Sequence, residues 1–107
     1  MRLTVIFDPA ADQDIENEFN YLVDRNIDVA LRFFKAVGNT CDTIAEMPGM
    51  GSPRTFKNSH LKGVRMWAVK GFPKYLIFYL TTDEDITVLR VLHGARNIEH
   101  IFSDTEA

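Results

Sequence analysis

The sequence predicts an α+β domain in which a two-helix hairpin packs on a mostly antiparallel four-stranded sheet, followed by a short C-terminal helix. Three runs rich in β-branched and aromatic residues, separated by short turn signals, predict most of the sheet. Ahead of them, two longer segments repeat apolar residues at helical spacing, which predicts the hairpin. With 107 residues and 46% hydrophobic content, the chain is expected to form a single domain over residues 1–107.

The centre of the predicted sheet is a meander of three strands at residues 64–70, 74–81 and 86–93. Because only a few residues join successive runs, neighbouring strands must pair antiparallel. The middle run is apolar or aromatic on both faces, which is typical of a central strand, so Phe78 is expected in the core. A fourth strand is predicted at residues 3–7, with its pairing direction left open.

Alternation along the third run assigns its side chains to the two faces of the sheet. The odd-numbered residues from Thr87 to His93 are predicted on one face, and the even-numbered residues from Ile86 to Leu92 on the other. Arg90 and His93 are consequently expected on opposite faces unless the strand twists or bulges.

The first helix is predicted to begin at Asp8 and Pro9, because aspartate caps helix N-termini and proline suits the first helical position. Apolar residues then recur at helical spacing and form its buried stripe. The members of this stripe are Ala11, Ile15, Phe19, Leu22 and Val23.

A second helix is predicted from residue 28 to about residue 47, where Pro48-Gly49 ends it. Gly38 in its middle costs about 1 kcal/mol of helix propensity relative to alanine, and is interpreted as a slight bend or a close helix–helix crossing. Residues 47–61 are predicted to form a loop. After the meander, Gly94-Ala95 leads into a short helix over residues 96–102, and residues 103–107 are expected to fray.

Composition argues against several classes of protein. No run approaches the ~20 apolar residues that span a bilayer, and the N-terminus lacks the features of a secretory signal. The single cysteine, Cys41, allows no internal disulfide and is expected to be a packed apolar residue in a reducing cytosol. His60, His93 and His100 fall in different predicted elements, so no metal or other cofactor is expected.

Charge is unevenly distributed along the chain, although the net charge is only −3. Residues 1–53 contain four Lys or Arg against nine Asp or Glu, whereas residues 54–82 contain six Lys or Arg and no acid. This asymmetry favours a basic patch that meets an anionic partner, with an ordinary solvated surface as the alternative.

One set of side chains has the chemistry to bind phosphate or to cleave RNA. Arg65, Arg90 and His93 come from strands predicted to be neighbours, and Arg96 follows directly. Attack by a 2′-hydroxyl needs proton removal, charge neutralisation and protonation of the leaving group. No second acid–base residue is predicted beside them. The alternative role of the two strand arginines is to pair with local acids or backbone carbonyls.

A series of short motifs lies in a characteristic order along nearly the whole chain. They are Pro9-Ala10-Ala11, Ala30-Leu31-Arg32-Phe33, Met47-Pro48-Gly49-Met50-Gly51, Gly63-Val64-Arg65-Met66-Trp67, Val69-Lys70-Gly71-Phe72, Tyr75-Leu76-Ile77-Phe78-Tyr79 and, most specifically, Val91-Leu92-His93-Gly94-Ala95-Arg96. With the order of predicted elements, these motifs resemble the RelE/ParE toxin superfamily of bacterial toxin–antitoxin systems. The likeness is to the ParE branch, whose members are often called plasmid stabilisation proteins.

The resemblance implies a small cytoplasmic toxin that a cognate antitoxin, ParD-like or similar, neutralises. ParE-like members are implied to poison DNA gyrase by binding, and RelE-like members to cleave mRNA on the ribosome. Carried over by resemblance, Arg65, His93 and Arg96 are the candidates for target binding. In the ribonuclease alternative, the catalytic candidates are Arg65, Arg90 and His93.

The gyrase inhibitor is favoured because the terminal catalytic tyrosine of the ribonucleases has no counterpart. Phe102 follows the last strand in its place, and the dense set of catalytic lysines and arginines is also missing. A second alternative is a remnant without toxicity that still binds the antitoxin.

The outer surface of the hairpin and the basic stretch 54–74 predict how the antitoxin binds. A largely disordered antitoxin segment is expected to fold over them, with a helix on the hairpin and acidic side chains near the lysines. The toxin–antitoxin complex is expected to be of higher order. The predicted contacts are Phe19, Leu22 and Phe34 for the helix, and Lys62, Lys70 and Lys74 for the acidic side chains.

Overall fold

The computed structural model describes residues 2–103. In chain order, its strands and helices are β1 (Thr4–Phe7), α1 (Pro9–Val23), α2 (Ile27–Glu46), β2 (Ser52–Pro53), β3 (Arg65–Val69), β4 (Phe72–Thr81), β5 (Asp85–His93) and α3 (Ile98–Ser103). Short 3-10 turns at Pro48–Met50 and Ser59–Leu61 flank β2. The fraying predicted for the C-terminal tail falls, beyond Ser103, outside the described residues.

The strands form one sheet in the order β1-β5-β4-β3-β2. β1 runs parallel to β5, which answers the question of its pairing direction, and the other pairs are antiparallel. The predicted α+β fold, with a helix hairpin on a mostly antiparallel sheet and a short C-terminal helix, is confirmed.

The described sheet has a fifth strand that was not predicted, β2, which lies in the segment predicted to be a loop. Ser52 pairs with Met66, and Pro53 pairs with Arg65. Proline is tolerated there because β2 is an edge strand. Two residues are too few for a period-two pattern, so the sequence carries no signal for this strand.

The helix starts follow the predicted signals with small shifts. α1 begins at Pro9, although the Asp8 side chain makes no capping hydrogen bond. α2 begins at Ile27 because the side-chain oxygen of Asn26 accepts hydrogen bonds from the backbone N–H groups of Asp28 and Val29, at 2.9 and 3.2 Å. α3 begins two residues later than predicted, which leaves Arg96 in a turn.

A bulge in β5 changes which side chains share a face of the sheet. Phe78 pairs with Arg90 but the next residue, Tyr79, pairs with Val88, so Leu89 is the extra residue. Val91 therefore packs on the same side as Val88, whereas Leu89 packs on the opposite side. The predicted alternation is correct up to Leu89 and wrong from Arg90 onward.

Buried side chains form separate clusters on the two faces of the sheet. α1 and α2 cover one face, where Phe33 and Ile44 pack against Ile77 and Tyr79. α3 and the loop before β3 cover the other face. There Phe102 and Phe56 pack on Phe78, with ring centroids 5.0 and 6.3 Å from that of Phe78. The prediction that Phe78 lies in the core is confirmed, on the face away from the hairpin.

Candidate functional site

The segment from His93 to Arg96 forms a tight turn at the end of β5. The backbone N–H of Ala95 donates to Nδ1 of His93 at 3.0 Å, and that of Arg96 donates to the His93 carbonyl at 3.0 Å. Gly94 donates from its backbone N–H to the Lys74 carbonyl at 2.7 Å, which fastens the turn to β4. The exposed Arg96 side chain is thus presented on a hydrogen-bonded turn at one end of the sheet.

Arg65 is bonded to the loop that precedes β2. Its Nη1 donates to the carbonyls of Gly51 at 2.6 Å and Gly49 at 3.4 Å. On the same loop, the Tyr79 hydroxyl accepts from the Gly51 N–H at 3.0 Å and donates to the Pro48 carbonyl at 2.7 Å. A Cβ at residue 51 would collide with the Tyr79 hydroxyl, so the close approach of this loop requires glycine.

Arg90 is held in an ion pair between the sheet and α1. Its Nε and Nη2 donate to the two carboxylate oxygens of Asp14 at 2.7 and 2.8 Å. Asp14 also accepts the backbone N–H of Val91 at 3.0 Å. The hydrogen bond with Asp14 raises the pKa of the Arg90 guanidinium above its usual value. Arg65 thus binds backbone carbonyls, and Arg90 binds a carboxylate. These are the two roles that were considered as alternatives to a phosphate site.

The register places the ribonuclease candidates at different levels of the sheet. His93 lies opposite Tyr75 on β4, Arg90 opposite Phe78, and Arg65 opposite Tyr79. At about 3.3 Å per residue, Arg65 is displaced from the level of His93 by roughly 13 Å along β4. The prediction that these strands are neighbours is wrong, because β4 lies between β3 and β5. The strand pairing therefore does not gather these three side chains around one reacting atom.

His93 has titratable neighbours that the sequence analysis missed. The ring of Tyr75 lies edge-on to His93, with centroids 5.1 Å apart, and its hydroxyl donates to Glu18 Oε2 at 2.5 Å. Burial, followed by the hydrogen bond to Glu18, raises the pKa of the Tyr75 phenol. This tyrosine holds its proton tightly and is a poor proton donor near neutral pH. Tyr75 lies opposite His93 because β4 and β5 pair antiparallel. That pairing was predicted from the sequence and was the signal from which this neighbour could have been found.

An apolar groove lies between α1 and α2 of the hairpin. It has a volume of about 690 Å³ and includes Phe19 and Phe34, whose ring centroids are 6.0 Å apart. The Phe34 side chain is 59% exposed. Leu22, the third predicted helix contact, is half-buried against the core and does not line the groove. The predicted antitoxin helix would therefore contact Phe19 and Phe34 more directly than Leu22.

The lysines predicted to meet acidic side chains are all exposed. Lys62 follows a 3-10 turn, Lys70 lies in the turn between β3 and β4, and Lys74 lies in β4. Within residues 2–103, none of the three forms an ion pair with an acid of the chain. Their charges are available to a partner.

The remaining nucleophile and metal candidates do not form a site. Burial raises the pKa of the Cys41 thiol to about 12, which keeps it protonated and unreactive. Within the described part of the chain, no three His, Cys, Asp or Glu side chains are grouped to hold a metal ion.

A family profile decides the assignment. The family described as the ParE toxin of the type II toxin–antitoxin system, parDE, matches residues 5–98. The chain belongs to this ParE toxin family. The match spans the helix hairpin, strands β2 to β5, the turn from His93 to Arg96 and all of β1 except Thr4. A search among curated protein sequences finds no match for this ParE-family chain.

Solved structures show the same fold at low sequence identity. The chromosomal ParDE system of P. aeruginosa matches with a TM-score of 0.67 and 15% identity, over 86% of this chain and 96% of that chain. The YoeB dimer from Staphylococcus aureus matches with a TM-score of 0.54 and 18% identity, over 84% and 94%. The YoeB–YefM complex from the same organism matches with a TM-score of 0.50 and 20% identity, over 87% and 98%.

This ParE-family chain has phenylalanine where the ribonucleases of the wider superfamily were expected to carry a catalytic tyrosine. Phe102 is buried, with its ring centroid 4.5 Å from that of Phe56. It belongs to the core on the face of the sheet away from the hairpin. Between residues 2 and 103, no helix is both long enough and apolar enough to cross a bilayer.

Proposed function

We propose that this ParE-family toxin acts in the cytoplasm by binding DNA gyrase, and that a cognate ParD-like antitoxin neutralises it, as in plasmid stabilisation systems. The observation that carries this proposal is the turn from His93 to Arg96, which lies within the family match and presents an exposed guanidinium. The side chains around it are poorly suited to proton transfer. The Tyr75 hydroxyl is hydrogen-bonded to Glu18, and Arg90 forms an ion pair with Asp14.

The alternative is an mRNA endoribonuclease that acts on the ribosome. One observation favours it, namely that His93 lies beside Tyr75 and, through it, Glu18. An imidazole, a phenol and a carboxylate that lie near one another can exchange protons. The raised pKa of Tyr75 counts against this set as a proton donor.

Substitution of His93 separates the two functions. His93→Gln keeps hydrogen-bonding capacity but removes the imidazole as an acid–base group, so a toxin that acts by contact should keep growth inhibition within a few fold of wild type. Arg96→Glu should abolish growth inhibition while antitoxin binding is retained. A substitution is preferable to truncation after Ala95, which would also remove the buried Phe102. Arg25→Glu, in the connection between α1 and α2, is the matched charge control.

The measurement is colony survival after induction, combined in the same cells with mapping of mRNA cleavage and detection of DNA breaks. Purified wild-type protein should also increase gyrase-mediated DNA cleavage. Loss of killing by His93→Gln, with codon-phased mRNA cuts by the wild type and no DNA breaks, would refute gyrase as the target and establish the ribonuclease.

The exposed lysines give a kinetic prediction for antitoxin binding. Reversing the charge at Lys70 and Lys74 with glutamate should slow association with an acidic antitoxin segment and weaken its salt dependence. Stopped-flow association at low and high salt measures both effects. The variant Arg2→Glu/Arg25→Glu carries the same change in net charge outside the basic stretch and should behave like wild type. Equal association rates for the lysine variant and wild type at low salt would exclude these lysines as antitoxin contacts.

A further inference from the structure

Arg54 is a half-buried arginine whose guanidinium has no oxygen acceptor within the described residues. Three arginines are half-buried there, and two of them donate to oxygen atoms: Arg65 to backbone carbonyls and Arg90 to a carboxylate. The Arg54 guanidinium donates only to the sulfur of Met66, at 3.3 Å. Because a thioether is a weak acceptor, most of the hydrogen-bonding capacity of this guanidinium is unused.

Aromatic rings hold the guanidinium of Arg54 in place. Its central carbon lies 5.2 Å from the ring centroid of Phe56 and 5.7 Å from that of Phe78. These cation–π contacts fix it over the core on the face of the sheet away from the hairpin. Between residues 2 and 103, no fully buried side-chain nitrogen lacks a hydrogen-bond partner, so the remaining N–H groups of Arg54 reach solvent.

Arg54 lines a small pocket that is rich in hydrogen-bond donors. Lys62, Thr55 and Ser59 contribute an ammonium group and two hydroxyls, and none of the lining residues is an acid. The pocket has a volume of about 260 Å³. This is below the ~300–1,000 Å³ of sites for drug-sized ligands. Two cations around a space of this size suit a single small anionic group, such as a phosphate.

The surroundings of the pocket favour a polyanion as the source of that group. Lys57 is exposed on the same loop, between two residues that line the pocket. Residues 54–82 contain six Lys or Arg and no acid. Cations that follow one another along a loop match the repeated phosphates of a nucleic acid better than one carboxylate. The pocket also lies away from the hairpin surface on which the antitoxin helix is expected.

We propose that the pocket formed by Arg54, Lys62 and the hydroxyls of Thr55 and Ser59 binds one backbone phosphate of the DNA on which gyrase acts. The guanidinium donates to two phosphate oxygens, and Lys62 supplies a second positive charge. Contacts of this kind position a protein on DNA without reading its sequence. This inference rests on the proposed action on gyrase and adds the DNA backbone as a second partner. It assigns Lys62 to DNA in place of the antitoxin.

The phosphate pocket and the turn from His93 to Arg96 can contact different partners at the same time. His93 lies opposite Tyr75 on β4. Gly63, which lines the pocket, lies beside Leu80, because a Cβ at residue 63 would be 3.9 Å from the Leu80 side chain. Tyr75 and Leu80 are roughly 17 Å apart at about 3.3 Å per residue. A toxin with its turn on gyrase and its pocket on DNA links the enzyme to its substrate.

Binding of the full-length toxin to a fluorescein-labelled DNA duplex, followed by anisotropy at several salt concentrations, tests the pocket. Arg54→Gln should weaken binding by about tenfold and reduce the salt slope by about one, because one phosphate contact is lost. Arg54→Lys keeps the charge but loses the planar pair of donors, and should have an intermediate affinity. Lys62→Gln should weaken binding several fold. Since Lys62 is exposed, this variant tests the pocket even if Arg54→Gln fails to fold.

Two further measurements make the result specific. Arg32→Gln, on the exposed side of α2, removes the same charge outside the pocket and should bind the duplex like wild type. Arg54→Gln should reduce the gyrase-mediated DNA cleavage that the toxin produces by several fold. Its affinity for the antitoxin encoded by the adjoining reading frame, measured by calorimetry, should equal that of wild type.

The outcomes distinguish this inference from the function on which it rests. If wild-type toxin does not bind the duplex, or if Arg54→Gln and Lys62→Gln bind it as well as wild type, the inference is overturned. Weaker binding of the antitoxin alone by these variants makes an antitoxin carboxylate the occupant. A preference for RNA of the same length, or binding of inorganic phosphate without binding of the duplex, also overturns DNA as the ligand. If the duplex binds through Arg54 but the toxin leaves gyrase unaffected, the pocket is a DNA site and the proposed target fails.

Discussion

Replacing Phe78 with alanine should lower the free energy of unfolding by about 3–5 kcal/mol. Phe78 is completely buried at the centre of the sheet, where it packs against Phe102 and Phe56. Truncation removes the whole buried ring and leaves a cavity that Val64, directly before β3, and Leu92, in β5, cannot fill without moving. Since small domains are stable by only about 5–15 kcal/mol, much of the stability of this protein should be lost.

Equilibrium unfolding in urea, followed by far-UV circular dichroism, measures this effect. Phe34→Ala is the control, because it makes the same chemical change at a side chain that is 59% exposed. The control should change the free energy of unfolding by less than about 1 kcal/mol. Similar midpoints for Phe78→Ala and wild type would contradict a core on the face of the sheet away from the hairpin.

Asp14→Ala should lower the free energy of unfolding by about 3 kcal/mol, because it leaves two groups without their partner. Arg90 would lose both hydrogen bonds to the carboxylate, and the Val91 N–H would lose its acceptor. The side chains of Arg90 and Asp14 are only 20% and 10% exposed, so water compensates poorly for the loss. Replacing both members, as in Asp14→Leu/Arg90→Met, should recover much of the stability.

The surface pair of Arg2 and Asp42 provides the comparison. Its N–O distance of 2.5 Å is shorter than the 2.7 Å between Arg90 and Asp14, but its side chains are 54% and 50% exposed. Asp42→Ala should therefore cost less than about 1 kcal/mol. If Asp14→Ala and Asp42→Ala had equal effects in urea unfolding, burial would not be what gives the α1–β5 pair its strength.

Local patterns predicted the elements of the fold well, and they did not predict where the pattern itself is interrupted. Proline at position 9 set the start of α1, and short connections set the meander. The bulge at Leu89 could not be foreseen, because leucine is equally compatible with either face of this sheet. The Asn26 cap of α2 had a sequence signal, since asparagine is a preferred capping residue.

The candidate site was less predictable because its partners are distant in sequence. Arg90 and Asp14 are 76 residues apart, and Tyr75 and Glu18 are 57 apart. Neither pair follows from periodicity, because each depends on how the hairpin is placed on the sheet. The apolar side of α1 was easier to predict, since helical spacing alone brings Phe19 onto it. Phe19 is only half-buried, however, and lines the groove instead of joining the predicted buried stripe.

The parallel pairing of β1 with β5 has a consequence for biosynthesis. Residues 4–7 find their partner only in residues 85–88, which are synthesised much later. Phe102, which completes the packing on Phe78, is made later still. Because these contacts join segments that are far apart in sequence, the nascent polypeptide cannot complete its sheet before β5 has been made. Fragments released before residue 85 therefore lack the strand that pairs with both β1 and β4.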